Sequence, residues 1–202
     1  ILWKSRSQIR TGSGFTGQTN VQGLQTPFKD GRSIVAQRHR AAVNQSKPEM
    51  ARAMIARAQR AGIDARYLLA DAWFGTKPMI AMAEDALLTA IVRMKKNKMK
   101  YRHSLHMPDK VICQDMDLCA LDQSAVRGQW EKVAGQPYQS KTVVVDLNLN
   151  DPKDETERWI KVRLLFVRVV PAGDKTQPAK HDWCVFLSTD TQLDASNMLE
   201  LY

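Results

Sequence analysis

Apolar and polar positions alternate with two different periods along this chain, and the change of period marks its elements. After Ser46 the apolar residues Met50, Met54, Ile55 and Ala58 recur near the helical repeat. Ser46 can cap this helix, Pro48 suits its first turn, Glu49 complements the positive end of its dipole, and Gly62 ends it. Tyr67-Leu68-Leu69-Ala70 follows as a short, nearly continuous apolar run. Such a run predicts a central strand covered on both faces. It ends in one carboxylate, Asp71. Ala72-Trp73-Phe74-Gly75 then leads into a predicted helix over Lys77 to Ala86, with Thr76 as its cap. Leu87 to Met94 reads as a second buried strand. Strand, turn, helix and strand in this order predict a βαβ unit and an α/β fold.

The flanks are less regular. Residues 1–26 are rich in Gly, Ser, Thr and Gln and read as loop, ragged strand or an uprooted end, and 29–46 as a polar, basic, exposed connector. Beyond His103 a short helix is predicted near Leu121 to Trp130, with strands at Lys141–Leu147 and Arg158–Val170. One face of the second strand is apolar except for Arg168. A linker over 171–182 precedes a strand at Trp183–Thr189, and Asp194 caps a last helix, Ala195 to Tyr202. This organisation divides into a basic N-terminal segment (1–46), a core (47–102), a variable β-rich insertion (103–182) and a return strand with the start of a C-terminal helix (183–202). The last helix stops without a glycine or a polar final turn, and the chain lacks a starting Met. The expectation is an internal fragment, truncated at both ends.

Composition narrows the function classes. The chain's 202 residues are enough for one domain with a core, or for one domain carrying a large insertion. No run approaches 18 apolar residues and no secretory signal is visible, so no membrane partner is expected, and a reducing cytoplasm is the default. The three cysteines, Cys113, Cys119 and Cys184, do not make a disulfide scaffold. Cys113 and Cys119 lie near His103 and His106. That group reads either as a zinc site of unusual spacing or as two buried thiols and two surface imidazoles.

Charge changes the picture more. Residues 1–62 hold eleven Lys and Arg, Arg38 and Arg40 among them, against Asp30 and Glu49 alone. A second basic knot, Arg93, Lys95, Lys96, Lys98, Lys100 and Arg102, contains no acid, whereas the chain after Arg102 is acidic. Lys96, Lys98, Lys100 and Arg102 sit two apart, so an extended backbone would point them to one side as a comb of cations. The layout reads as a surface for a polyanion, nucleic acid above all, or as a solvated face with no partner. Six phosphates neutralised by the knot would give log K against log salt a slope of roughly −5.

Asp71, alone at the carboxyl end of a buried strand, is either a turn or cap residue for the next helix or a metal ligand. Trp73 and Phe74 are large apolar groups where a plain turn prefers small polar ones. Tyr67-Leu68-Leu69-Ala70-Asp71-Ala72-Trp73-Phe74-Gly75 resembles the second catalytic-Asp motif of the DDE transposases of bacterial insertion sequences. Ala61-Gly62-Ile63 before it, and Ala90-Ile91-Val92-Arg93-Met94-Lys95-Lys96-Asn97 after it, resemble the elements flanking that motif. Phe186-Leu187-Ser188-Thr189-Asp190 and Leu199-Glu200-Leu201-Tyr202 look like the approach to that family's Tyr-x2-Arg-x3-Glu signature, with Tyr202 as its Tyr.

The resemblance implies an RNase H-like mixed sheet flanked by helices, with a β-rich insertion. It implies metal-dependent DNA cleavage and strand transfer in transposition. Three carboxylates would hold two Mg²⁺ or Mn²⁺ ions about 3.5–4 Å apart to clamp the attacking and leaving oxygens. Asp71 would be the one such carboxylate here. The basic knot, with Arg38 and Arg40, would hold DNA, Trp73 would pack beneath the site, and the full-length protein would work as a homodimer on transposon ends and target. Asp30 sits in a Lys-Asp-Gly turn and does not match the first catalytic Asp. Glu200 is misplaced relative to Tyr202 and reads as a surface residue. The other readings are a catalytically dead nucleic-acid-binding remnant and a different RNase H-like nuclease.

Overall fold

In the computed structural model of this chain, residues 2–4, 32–127, 129–150, 155–169 and 183–202 are described. They divide into two compact units, 2–65 and 66–202.

The first unit contains a three-residue strand, β1 (Leu2–Lys4), and two helices, α1 (Ile34–Asn44) and α2 (Lys47–Arg60). Helix α1 replaces the connector expected over 29–46. The segment has no apolar stripe, and Ile34 and Val35 are exposed. Its helix rests instead on local signals: Ser33 Oγ accepts the Ala36 N–H at 3.2 Å, and Ala, Arg and Gln are good helix formers. Apart from β1, the expectation for residues 1–26 falls outside the described residues.

Helix α2 begins and ends as its sequence predicts. The Ser46 N–H donates to Glu49 Oε2 at 2.7 Å and the Ser46 hydroxyl to the same oxygen at 2.8 Å. These bonds, the hydroxyl's first, hold the Glu49 carboxyl below its ordinary range. Gly62 reverses the chain at φ +71°. There the Ile63 N–H returns to the Ala58 carbonyl at 3.0 Å.

The second unit is a mixed sheet with helices. Its strands are β2 (Tyr67–Ala70), β3 (Thr89–Met94), β4 (Tyr101–His106), β5 (Val111–Met116), β6 (Glu131–Lys132), β7 (Tyr138–Asn148), β8 (Trp159–Val169) and β9 (Trp183–Ser188). Its helices are α3 (Lys77–Asp85), α4 (Leu118–Gln123) and α5 (Ala195–Leu201). The strands lie in the order β2-β3-β9-β8-β7-β4-β5, with β6 beside β7. β2 and β3 are parallel, as the βαβ pattern requires, and Leu69 faces Ile91 in their register. β9 runs antiparallel between β3 and β8, so the β-rich segment extends the core sheet without a break.

Side chains alternate across this sheet. Leu69, Ile91, Leu165, Val167 and Phe186 form one buried face with Met198 of α5. Leu68, Ala70, Ala90 and Val92 point to the other face, and α3 buries Met79, Ile80 and Ala83. This two-sided burial is why β2 and β3 read as continuous apolar runs.

Several local expectations change. Leu87 is not strand: it occupies a left-handed turn at φ +57° and is 93% exposed, so β3 starts at Thr89. The helix expected over 121–130 lies earlier, at α4. There the Asp117 carboxylate accepts the Ala120 N–H at 3.0 Å and fixes the start. Residues 95–100 bend and do not form the extended comb, so Lys96, Lys98 and Lys100 share no strand face with Arg102. Cys113 and Cys119 are exposed and not buried, Cys113 because the β4–β5 hairpin lies at the end of the sheet and shows much of β5 to solvent. The linker over 171–182 lies outside the described residues.

Lys141, legible in the sequence only as the start of a strand, is the buried charge of the sheet. Its side chain is 2% exposed and its Nζ lies 2.6 Å from Asp122 Oδ1 and 3.1 Å from the Asp122 carbonyl oxygen. The Trp130 ring takes Lys141 Nζ at 4.6 Å and the Arg168 guanidinium at 4.2 Å. Arg168 Nε donates to Gln139 Oε1 at 2.9 Å, which accounts for the one cation on the apolar face of β8. Removing one partner leaves a charge buried without compensation. Asp122→Ala should therefore lower the unfolding free energy by about 3 kcal/mol in urea titrations, whereas replacing both partners, Asp122→Ala together with Lys141→Met, should cost about 1 kcal/mol or less.

Candidate functional site

Asp71 is the first residue after β2, at its carboxyl end, and it is exposed. The loop behind it is tightly built. Asp71 Oδ1 accepts the Trp73 N–H at 2.9 Å, and the Asp71 carbonyl accepts the Phe74 N–H at 3.0 Å. Phe74 is buried and anchors the loop from below. The Thr76 N–H then donates to the Phe74 carbonyl at 2.8 Å, and α3 begins with Pro78 in its first turn. So Asp71 does serve as a turn residue, and that role leaves its carboxylate at the surface.

Gly75 explains the glycine in the motif. A Cβ built there would stand 2.6 Å from the Arg93 carbonyl oxygen and 3.2 Å from Met94 Sδ. The loop is thus seated on the backbone at the end of β3, and only glycine fits.

Three further side chains meet this end of the sheet. Arg93 is opposite Phe186 in the β3–β9 register. The Tyr202 ring, just past α5, packs edge-on against Phe186 with centroids 4.6 Å apart. Helix α5 is placed by Asp194, whose Oδ1 accepts the Asn197 N–H at 2.8 Å, and by the buried Met198. Partial burial raises the Tyr202 phenol above its ordinary value. The negative charge of Asp71 adds to that and Arg93 opposes it. The Cys184 thiol is likewise raised by burial, with Arg93 and Lys96 pulling the other way. The fold therefore brings Asp71, Arg93, Cys184 and Tyr202 within electrostatic reach across 131 positions of sequence.

The basic knot is differentiated. Lys95 Nζ lies 4.2 Å from the centroid of the Trp73 ring and Lys96 Nζ 3.8 Å from that of Trp183. Lys98 is exposed. Lys100 pairs with Asp117 at 3.2 Å. Arg102 pairs with Asp115 at 3.1 Å and lies 4.0 Å from the centroid of the Trp159 ring. Trp73, expected beneath the site, is instead 64% exposed at its surface. Arg38 and Arg40 are exposed on α1, in the other unit. Glu200 is exposed on α5. No motif or spacing marks Trp159 and Trp183 as ring partners, because each meets its cation across more than fifty residues. No group of three or more His, Cys, Asp or Glu able to hold a metal forms among the described residues, the Cys113, Cys119, His103 and His106 set included. Asp71 is a single carboxylate, and the described residues do not by themselves fit a two-metal centre. No helix among the described residues is long and apolar enough to cross a membrane.

Residues 21–111 match the model of a family described as DDE superfamily endonuclease. The match spans Arg38, Arg40, Asp71 and its loop, and the whole basic knot. It supports a DDE nuclease-type domain, a class that acts on DNA and generally uses divalent metals. Neither the curated proteins nor the solved structures gave a match.

Two outcomes test this geometry. Gly75→Ala should cost about 1–3 kcal/mol in thermal or denaturant unfolding, because the methyl meets backbone and the loop must lift. Asp71→Asn should bring the Tyr202 phenol back toward its ordinary value in an ultraviolet titration, read as the difference from Tyr202→Phe. The sign follows from removing a negative charge that disfavours phenolate. In the intact protein this raised phenol contributes stability up to about pH 10 and loses it above.

Proposed function

We propose that this chain acts in DNA transposition, as part of a DDE transposase that cleaves DNA and joins strands with divalent metal ions. The observation that carries the reading is Asp71. It stands at the carboxyl end of a buried parallel strand, inside the stretch that matches the DDE endonucleases, with Arg93 and the 95–100 turn beside it. Open α/β sheets place their chemistry at such strand ends. Asp71 supplies one metal-binding carboxylate, Mg²⁺ or Mn²⁺ being the ion of choice for oxygen ligands. Arg93, Lys95, Lys96 and Lys98 hold the DNA backbone. Lys100 and Arg102, already paired with acids, contribute less, and Arg38 and Arg40 add charge from α1. Transposon ends and target are the substrates, and a homodimer is the expected assembly.

The experiment is titration of a fluorescent DNA duplex by anisotropy across a salt series. The triple variant Arg93→Ala, Lys95→Ala, Lys98→Ala should weaken binding and flatten the slope of log K against log salt by about 3, and Lys100→Ala by well under 1. Equal losses from the two sets, or no binding at all, would sink the assignment. In a second assay the purified 202 residues should not nick supercoiled plasmid with Mg²⁺ or Mn²⁺. Metal-dependent nicking that Asp71→Asn abolishes would mean the remaining ligands lie within this chain.

A further inference from the structure

Strand β5 closes the far end of the sheet. Among the described residues it pairs with β4 and with no other strand. The register runs unbroken from Tyr101 opposite Met116 to His106 opposite Val111, so no bulge turns the edge away. The hairpin turn fixes which backbone groups face outward. Met107 and Lys110 exchange N–H to carbonyl bonds at 2.9 and 3.4 Å, which makes them a hydrogen-bonded pair. Such pairs alternate along an antiparallel ladder, so Lys110, Ile112, Gln114 and Met116 direct their backbone groups to β4. Val111, Cys113 and Asp115 therefore turn theirs to the open edge, and all three residues are exposed. Proteins usually guard such an edge with proline, lysine, a bulge or a very short strand. β6, beside β7, is guarded in that way: it has two residues, Glu131 and Lys132. β5 has six residues and no proline, and its one charge, Asp115, is paired with Arg102. The side chains of Leu105, Met107 and Val111 add exposed apolar surface around it.

The edge is complementary to itself. Lys110 lies at one end of it and Asp115 and Asp117 at the other. An antiparallel copy brings the lysine of each chain to the acidic end of the other, whereas a parallel copy sets like charges side by side. A nucleic acid does not suit this end of the sheet, because residues 103–117 hold Asp109, Asp115 and Asp117 against Lys110 alone. We propose that β5 docks antiparallel on the β5 of a second copy of this chain, about a two-fold axis at Cys113, so that one sheet continues into the other. Val111 of each copy then exchanges backbone bonds with Asp115 of the other, and Cys113 with Cys113. Only in this register do the outward groups of all three residues satisfy one another. The inference supplies a surface for the homodimer proposed above and rests on that assembly; DNA and metal do not enter it. A strand pair of this length belongs with the small, reversible interfaces.

The test is sedimentation velocity of the 202-residue protein, without DNA, over a concentration series. The wild type should pass reversibly from monomer to dimer. Cys113→Pro removes the outward N–H at the axis and leaves the bonds to β4, so it should weaken dimerisation about tenfold or more. Cys113→Val keeps that N–H and should dimerise like the wild type. Cys113→Lys and Cys113→Asp each set like charges opposite one another, and each alone should also lose about tenfold. An equal mixture of the two should regain the dimer, because position 113 meets its own copy across the axis. Should the proline variant lose the hairpin, seen in its circular dichroism, the two charged variants decide alone. If the proline and charged variants dimerise like the wild type, the β5 edge is wrong and the homodimer stands on another surface. If the charged variants fail and their mixture does not recover, the two-fold register is wrong and the inference falls. If the wild type stays monomeric throughout, the homodimer falls and takes the inference with it, while the DNA reading keeps its own test.

Discussion

The contact between the Gly75 backbone and the Arg93 carbonyl sets the geometry of everything at this end of the sheet. A methyl group at Gly75 would stand 2.6 Å from that oxygen, so the loop and the strand end are in van der Waals contact with no room between them. The parallel pairing of β2 and β3 brings the two backbones together, and the glycine lets the loop close down on β3. From that seat follow the outward carboxylate of Asp71, the surface position of Trp73 and the entry of α3. A looser loop would leave Trp73 without a fixed direction and Lys95 without its ring.

Cations around the site are held by aromatic rings as much as by acids. Lys95 and Lys96 are consecutive, yet each lies over a different tryptophan, one from the β2–α3 loop and one from the start of β9. A ring attracts an ammonium without neutralising it, so these charges keep their long-range field while losing side-chain freedom. Lys100 and Arg102 are paired with carboxylates, which do cancel charge. The basic knot, uniform in sequence, is therefore graded in strength away from Asp71.

The parts legible in the sequence are those specified locally. The α2 start shows in Ser46, Pro48 and Glu49, its end in Gly62, and the buried pair β2 and β3 in two apolar runs about a helix apart. α5 shows in its Asp194 cap. Helix α1 escapes the pattern because it lacks an apolar stripe and depends on Ser33 and propensity. β4 and β5 escape it because a terminal hairpin with much of β5 exposed has no hydrophobic alternation to read. At the site, Asp71 and Tyr202 are visible through their motifs. The rings over the lysines are not, since a cation–ring contact between residues far apart in sequence leaves no spacing signal. The exposure of Trp73 is likewise invisible in composition, which marks an indole as a group to bury.

Strand β9 pairs with β3 although almost a hundred residues separate them; Thr189 and Ala90 exchange hydrogen bonds at 3.0 and 3.1 Å across that distance. Everything from β4 to β8 is threaded between two neighbouring strands. The entropy of closing that loop must be met before the central pairing is rewarded, so the topology belongs to the slow, high-contact-order class of folds. On a ribosome the βαβ unit is complete long before β9 emerges. Until β9 does, the inner edge of β3 is an unpaired, apolar strand, and the nascent chain is exposed to misassembly right beside the loop that carries Asp71.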